Sequence, residues 1–172
     1  MKIFYRALFI FPVVFLCQYS ANAQVNIGTV RFAEIVTEMP EYKTVESQVE
    51  SAQKVYQDTI QRYQANLEQE MTTFRQQQGV YPPEKKVEEE QRINQLYQRA
   101  LEYQNAHLGP GGTIAQYTQT LLQPLEKQVI NAIRTVAQQK RLAIVFNEQG
   151  ALYVDQSVDI TLDVQLYLKN AR

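Results

Sequence analysis

One stripe of apolar side chains, spaced three or four residues apart between residues 42 and 74, constrains the fold more than any other feature. Its members are Tyr42, Val45, Val49, Ala52, Tyr56, Ile60, Tyr63, Leu67, Met71 and Phe74. Their mean spacing of about 3.56 residues lies between the 3.5-residue repeat of a coiled coil and the 3.6-residue turn of a straight helix. A single helix over residues 41–78 would be about 55 Å long. Such a helix must project from a globular body or pack along a partner.

A second helical run brings the chain back along the first. The sequence Gly-Val-Tyr-Pro-Pro at 79–83 ends the first helix, because glycine suits a helix C-terminus and two prolines cannot continue a helix. The apolar stripe resumes at Ile93 and continues to Val136, which indicates a returning limb. The two limbs predict a helical hairpin arm over residues 41–140, with its tip near residues 79–83.

Four residues interrupt the returning limb: Gly109, Pro110, Gly111 and Gly112. In a helix interior, each glycine costs about 1 kcal/mol and a proline about 3 kcal/mol relative to alanine. We predict a flexible hinge at this break, and a local defect without functional consequence is the alternative. Pro124 lies further along the limb, where we expect a kink or a new helical start.

In the segments before and after the arm, the apolar side chains no longer repeat at helical spacing, which predicts β-structure. Residues 25–30 alternate and are rich in β-branched side chains, which favours a first strand. The apolar run 142–146 and the segment 152–154 flank a turn, so they predict a β-hairpin. Asp159 is a suitable N-cap for a final helix.

Residues 24–40 and 141–172 are therefore predicted to form a small body of three short strands and short helices. Such a body, about 50 residues in all, is small for an independent core. Its strands also leave unpaired edges. Association of several copies would solve both problems, so we expect strands from several chains to pair around a common axis. The side chains expected to build this oligomeric body are Val25, Ile27, Ile144, Val145, Phe146, Leu152 and Val154.

Residues 1–23 have the three-part pattern of a secretory signal peptide. A basic start and an apolar run at 7–17 precede Ala21 and Ala23, small residues that suit cleavage after Ala23. Lipid attachment at Cys17 and a retained anchor are the alternatives. Cleavage leaves a mature chain without cysteine, which suits an oxidising compartment.

The composition argues against catalysis and against nucleic-acid binding. Signal cleavage leaves 15 of the 17 basic residues against 18 acidic ones, a net charge of −3, whereas nucleic-acid binding needs a clustered basic surface. One histidine and one cysteine argue against metal sites and nucleophilic constellations built on those residues. We therefore expect no catalytic residue, no cofactor and no metal. His107 is expected to be a solvated helix residue.

The order of these elements and two stretches of sequence resemble the Skp/OmpH family of periplasmic chaperones. The stretches are 121–147, which contains LLQPL and LAIVFN, and 159–164, which reads DITLDV; the opening at 25–49 is also similar. The resemblance implies an α+β fold and a jellyfish-like homotrimer, with a β-barrel-like body and three helical arms around a cavity. It also implies a periplasmic holdase that needs no ATP and keeps unfolded outer-membrane β-barrel proteins soluble for membrane insertion.

Tyrosine outnumbers phenylalanine by 11 to 7, and its rigid apolar face with a polar hydroxyl suits weak, unspecific contacts. The candidate client-contact residues are Tyr56, Tyr63, Tyr81, Tyr97, Tyr103 and Tyr117. The best-known chaperone of the family is markedly basic, whereas this mature chain is slightly acidic. We therefore expect any contact with a membrane or lipopolysaccharide surface to be weak. The alternative function is that of a coiled-coil envelope adaptor or scaffold that binds one specific folded partner.

Overall fold

The structure, a computed structural model, describes residues 25–171, and this part of the chain is mostly helical. The predicted signal peptide at 1–23 lies outside the described residues. The elements are, in order, strand β1 (Ile27–Val30), helices α1 (Phe32–Glu38), α2 (Pro40–Gln77), α3 (Pro83–Leu108) and α4 (Thr113–Gln139), strand β2 (Ile144–Asn147), a 3-10 helix (Gln156–Val158) and helix α5 (Thr161–Asn170). None of the described helices is both long enough and apolar enough to span a membrane.

The arm consists of α2 on one side and α3 followed by α4 on the other. Helix α2 has 38 residues, or about 57 Å at 1.5 Å per residue, and it packs against both α3 and α4. Proline occupies the first turn of α2 and of α3, where its missing N–H costs nothing. Helix α4 continues through Pro124, so the new helical start considered from the sequence does not occur. Buried residues in the following turns, among them Leu125 and Val129, hold this part of α4 against the body.

The two strands pair in parallel, with Ile27 opposite Ile144 and Val30 opposite Asn147. On the other edge of β1, the Ile160 N–H donates a hydrogen bond of 2.9 Å to the Thr29 carbonyl. Between these two edges the chain passes through residues 148–158, which we call the crossing segment. The crossing segment therefore carries the chain from one side of β1 to the other.

The predicted β-hairpin is wrong, because residues 152–154 do not form a strand. Leu152 is fully exposed and Val154 half-buried within the crossing segment. The chain turns at Gly150, where φ is +97°, and must then reach the far edge of β1. A hairpin would keep these residues beside β2. The sheet in residues 25–171 therefore has two strands, not the three predicted.

The core lies in the body, where α1, the start of α2, the second half of α4 and α5 meet. Its buried members are Val30, Ile35, Val36, Met39, Val45, Leu125, Val129, Ala132, Val136, Ile160 and Val164. Among the buried apolar side chains of residues 25–171, Ile60 alone lies outside this cluster, further along the arm. The body thus holds a continuous core, and the arm is held by a half-buried seam.

Candidate functional site

Three of the six candidate tyrosines lie between the two limbs of the arm and contact one another. The ring centroid of Tyr103, on α3, lies 6.2 Å from that of Tyr56 and 5.5 Å from that of Tyr63, both on α2. His107 stacks on Tyr56 at 4.4 Å, with 14° between the ring planes, and lies 4.3 Å from Tyr103. We call these four rings the aromatic cluster. Their contacts join α3 to α2.

His107 is half-buried in this cluster, so the expectation of a solvated helix residue is wrong. Tyr103 and His107 are four residues apart and therefore lie on the same face of α3. That face meets α2, and the Nδ1 atom of His107 also lies 2.9 Å from Oγ1 of Thr113 at the start of α4. The i, i+4 spacing was the sequence signal that could have placed His107 in the seam.

The other three candidate tyrosines differ in their surroundings. At the tip, the Tyr81 ring lies 6.4 Å from that of Phe74, and its hydroxyl donates a hydrogen bond to the Gln77 side chain. Tyr97 is 47% exposed and Tyr117 is 37% exposed. Neither has an aromatic ring contact within residues 25–171. These two are therefore the most exposed of the six candidate tyrosines.

Near the tip, one ion pair connects α3 to α2 and others support it within α3. Arg92 Nη1 donates to Glu70 Oε1 at 2.9 Å while Nη2 pairs with Oε2 of the same carboxylate, and Arg92 Nε lies 2.8 Å from Glu89. Lys85 adds an ion pair of 3.0 Å to Glu89. The hydrogen bonds from Arg92 hold the pKa of Glu70 and that of Glu89 below their ordinary value. These groups are at the surface, so salt screens their attraction.

The body presents an uncovered apolar surface formed by one face of its sheet. Ile27 and Ile144 lie opposite each other in register, and Phe146 lies two residues further along β2, so the three side chains share a face. All three are exposed, Phe146 by 54%. Val145 points to the other face and packs against the core. We call Ile27, Ile144 and Phe146 the exposed sheet face.

The remaining candidates for the oligomeric body lie around this sheet. Val25 and Leu152 are exposed, and Val154 is half-buried in the crossing segment. Parallel sheets are normally covered on both faces. Within the described single chain, the exposed sheet face has no such cover.

A polar cluster lies at the end of β1 and was not predicted from the sequence. The Arg31 guanidinium donates to Asp159 Oδ2 at 2.5 Å and to Glu34 Oε2 at 2.7 Å, and it lies 3.8 Å from Glu148. Glu148 begins the crossing segment and Asp159 follows it, so Arg31 holds both ends of the segment to β1. Arg31 and Asp159 are 128 residues apart, and no local pattern connects them.

Asp159 also supports the start of α5. The N-cap of this helix is Ile160 and not Asp159, as was predicted, so Asp159 lies one residue before the N-cap. Its Oδ1 nevertheless accepts hydrogen bonds from the Thr161 N–H at 2.8 Å and the Thr161 hydroxyl at 2.5 Å. Burial raises the pKa of Asp159, but the bonds from Thr161 and the pairing with Arg31 lower it overall below its ordinary value.

Open grooves lie at the base of the arm and near its tip. At the base, α2 and α4 flank a groove of about 530 Å³ whose lining includes Tyr42, Gln53 and Thr118. A smaller groove of about 260 Å³ lies near the tip beside Phe74 and Ile93. Across residues 25–171, no group of three or more His, Cys, Asp or Glu side chains is arranged to hold a metal ion.

Comparison with known proteins identifies the family. The model of a family described as outer membrane protein (OmpH-like) matches residues 26–168. A solved structure from Caulobacter crescentus CB15, described as a candidate outer membrane chaperone (OmpH-like), is similar with a TM-score of 0.63 and 11% identity over 87% of each chain. No curated protein matches the chain. The resemblance predicted from the sequence is confirmed, and the chain belongs to the OmpH-like outer membrane protein family.

Proposed function

We propose that this chain is a periplasmic holdase chaperone that works as a homotrimer and needs no ATP. It binds unfolded outer-membrane β-barrel proteins between its arms and keeps them soluble for membrane insertion. The proposal includes no catalytic residue and no cofactor. It extends the family assignment to a specific activity.

The observation that carries the proposal is that α2 and α3, the two helices that form the outer part of the arm, have very few buried side chains. Helix α3 has 26 residues and no buried side chain, and α2 has two buried residues among its 38. Because these long helices add so little to the core, we infer that their surface carries out the function. An elongated, mostly polar arm with scattered exposed apolar residues fits a protein that holds another chain through many weak contacts.

The chemistry of the client fits such a surface. An unfolded membrane barrel exposes alternating apolar side chains and unpaired backbone groups, and both promote aggregation. Tyr97 and Leu101 are four residues apart on α3, share a helix face and are exposed. Tyr117 offers a further exposed ring on α4. Weak contacts of this kind leave a client mobile, and its release follows when folding in the bilayer gains more free energy than binding.

Homotrimer formation is supported by the apolar surface of the body. The exposed sheet face would be covered by other copies, and each large apolar side chain fully buried in this way contributes about 1.5–3 kcal/mol. Within the described residues, β2 pairs with β1 alone, so its outer edge is open to another strand.

A change on the exposed sheet face tests the trimer. Phe146→Glu places a charge where another copy would bury an aromatic ring, so the mass measured by light scattering is expected to fall from three chains to one. The matched control is Val55→Glu, a change at an exposed apolar residue of α2 that lies outside this face. Val55→Glu should keep the mass of three chains. A trimer of Phe146→Glu as stable as the unmodified protein would contradict the proposed interface.

An aggregation assay tests the holdase activity. Several unrelated outer-membrane barrels are diluted from urea with and without one trimer equivalent of the mature protein, and light scattering is recorded. A holdase is expected to suppress the scattering of all of them without nucleotide. An adaptor would instead bind one folded envelope protein and leave every barrel to aggregate, which would refute the proposal.

A further inference from the structure

The break in the returning limb is a closed turn with one specific backbone conformation. Residues 109–112, which we call the joint, separate α3 from α4, and the Gly112 N–H donates a hydrogen bond of 2.9 Å to the Gly109 carbonyl. Gly111 has a φ of +72°, a conformation that favours glycine. A Cβ atom on Gly112 would lie 2.8 Å from the Ala106 carbonyl oxygen. The glycines therefore fit this turn, not merely an unstructured linker.

Side chains close the joint from both neighbouring helices. Gln116, on α4, donates its side-chain N–H to the Gly111 carbonyl at 2.9 Å. His107, in the last turn of α3, contacts Thr113 through Nδ1 and stacks on Tyr56 of α2. His107 is thus the side chain that touches all three helices at the joint.

Helix α2 passes the joint without interruption, because it extends over residues 40–77 and includes Tyr56. A bend at the joint alone therefore cannot swing the whole outer arm. The motion that the joint does permit is movement of α3 relative to α2. No side chain of α3 is buried, so this movement is resisted by the half-buried seam, by the Arg92–Glu70 ion pair near the tip and, at the inner end of α3, by His107.

We propose that His107 is a latch that holds the inner end of α3 on α2 beside the joint. When its ring leaves Tyr56, the end of α3 separates from α2 and uncovers the ring faces of Tyr56 and Tyr103. The latch itself does not depend on the proposed function. Its use does: in a chaperone, the uncovered rings would add client-contact surface to that of Tyr97 and Tyr117.

Hydrogen exchange of the mature protein, followed by mass spectrometry, tests the latch. His107→Ala removes both the ring contact and the contact with Thr113, so exchange over residues 105–114 is expected to quicken about tenfold. The matched control is Tyr63→Leu, because the Tyr63 ring contacts Tyr103 and, within residues 25–171, has no ring contact with His107. Tyr63→Leu should leave exchange at 109–114 within about twofold of the unmodified protein.

A second variant separates the latch from a general loss of structure. His107→Phe keeps a ring between Tyr56 and Tyr103, and it is expected to restore most of the slow exchange that His107→Ala loses. Equal quickening in His107→Ala and His107→Phe would overturn the ring latch, as would unchanged exchange in His107→Ala. Because no client is present, these results do not depend on whether the protein is a chaperone.

Discussion

Replacing Asp159 tests how the crossing segment and α5 are fixed to the sheet. The Asp159 side chain is 16% exposed and accepts hydrogen bonds from Arg31 and from the backbone and hydroxyl of Thr161, a residue that is 0% exposed. Asp159→Ala removes these bonds and leaves the buried hydroxyl of Thr161 without its acceptor. A lost hydrogen bond to a charged group costs about 1.5–3 kcal/mol, so we expect a loss of about 2 kcal/mol. Asp159→Asn keeps an acceptor for Thr161 and should lose less.

Urea unfolding followed by circular dichroism measures this loss, with all variants at one protein concentration because the proposed assembly would contribute to stability. The matched control is Asp155→Ala, since Asp155 accepts a bond from the Ser157 N–H in an exposed turn and its loss should matter less.

The contribution of Asp159 to stability should also depend on pH. The pKa of Asp159 is below its ordinary value of 3.8, so its contribution is complete above that pH and disappears as the pH falls through the lowered pKa. Equal stability of Asp159→Ala and the unmodified protein would refute this account.

Three further predictions test other parts of the molecule. Arg141 has a φ of +55° after α4, so Arg141→Gly should raise the free energy of unfolding by about 0.5–1 kcal/mol, measured by thermal unfolding. Arg92 lowers the pKa of Glu70, so the ion pair at the tip is complete above the ordinary value of 4.5 and weakens as the pH falls through the lowered pKa. Protection of the amides near the tip, relative to their intrinsic exchange rate at each pH, should then fall, and Glu70→Gln should remove this pH dependence. Val129→Ala, in the body core, should lower global stability by about 2 kcal/mol, whereas Ile60→Ala should quicken exchange in the arm alone. Equal global losses at these two positions would contradict the separation of body core and arm seam.

Local periodicity predicted the arm well. The stripe from residue 42 to residue 74 repeats at helical spacing, and the structure has one helix there, α2. Glycine and proline likewise marked the end of α2, because their backbone preferences act at their own positions. Such features depend on near neighbours in the sequence, which is why a single chain reveals them.

Pairing between distant segments was harder to predict. Residues 142–146 and 152–154 have strand composition, but the chain pairs β2 in parallel with β1, more than a hundred residues away. Arg31 and Asp159 meet for the same reason, through topology and not through a local motif. Among the tyrosines, composition could not distinguish Tyr103, which lies in the aromatic cluster, from Tyr97, which is exposed.

Shortening the arm gives the most direct test of the claim that its surface holds unfolded clients. Val49 and Leu121 pack against the body core, so the deletion must begin beyond them, for example by replacing residues 56–114 with a short turn. Gln53 and Thr118 line one groove, which places the two cut ends side by side. We predict that this variant keeps the mass of three chains, measured by light scattering of the protein alone. In the aggregation assay, it should no longer protect unfolded barrels. Protection equal to that of the full-length protein would contradict the account.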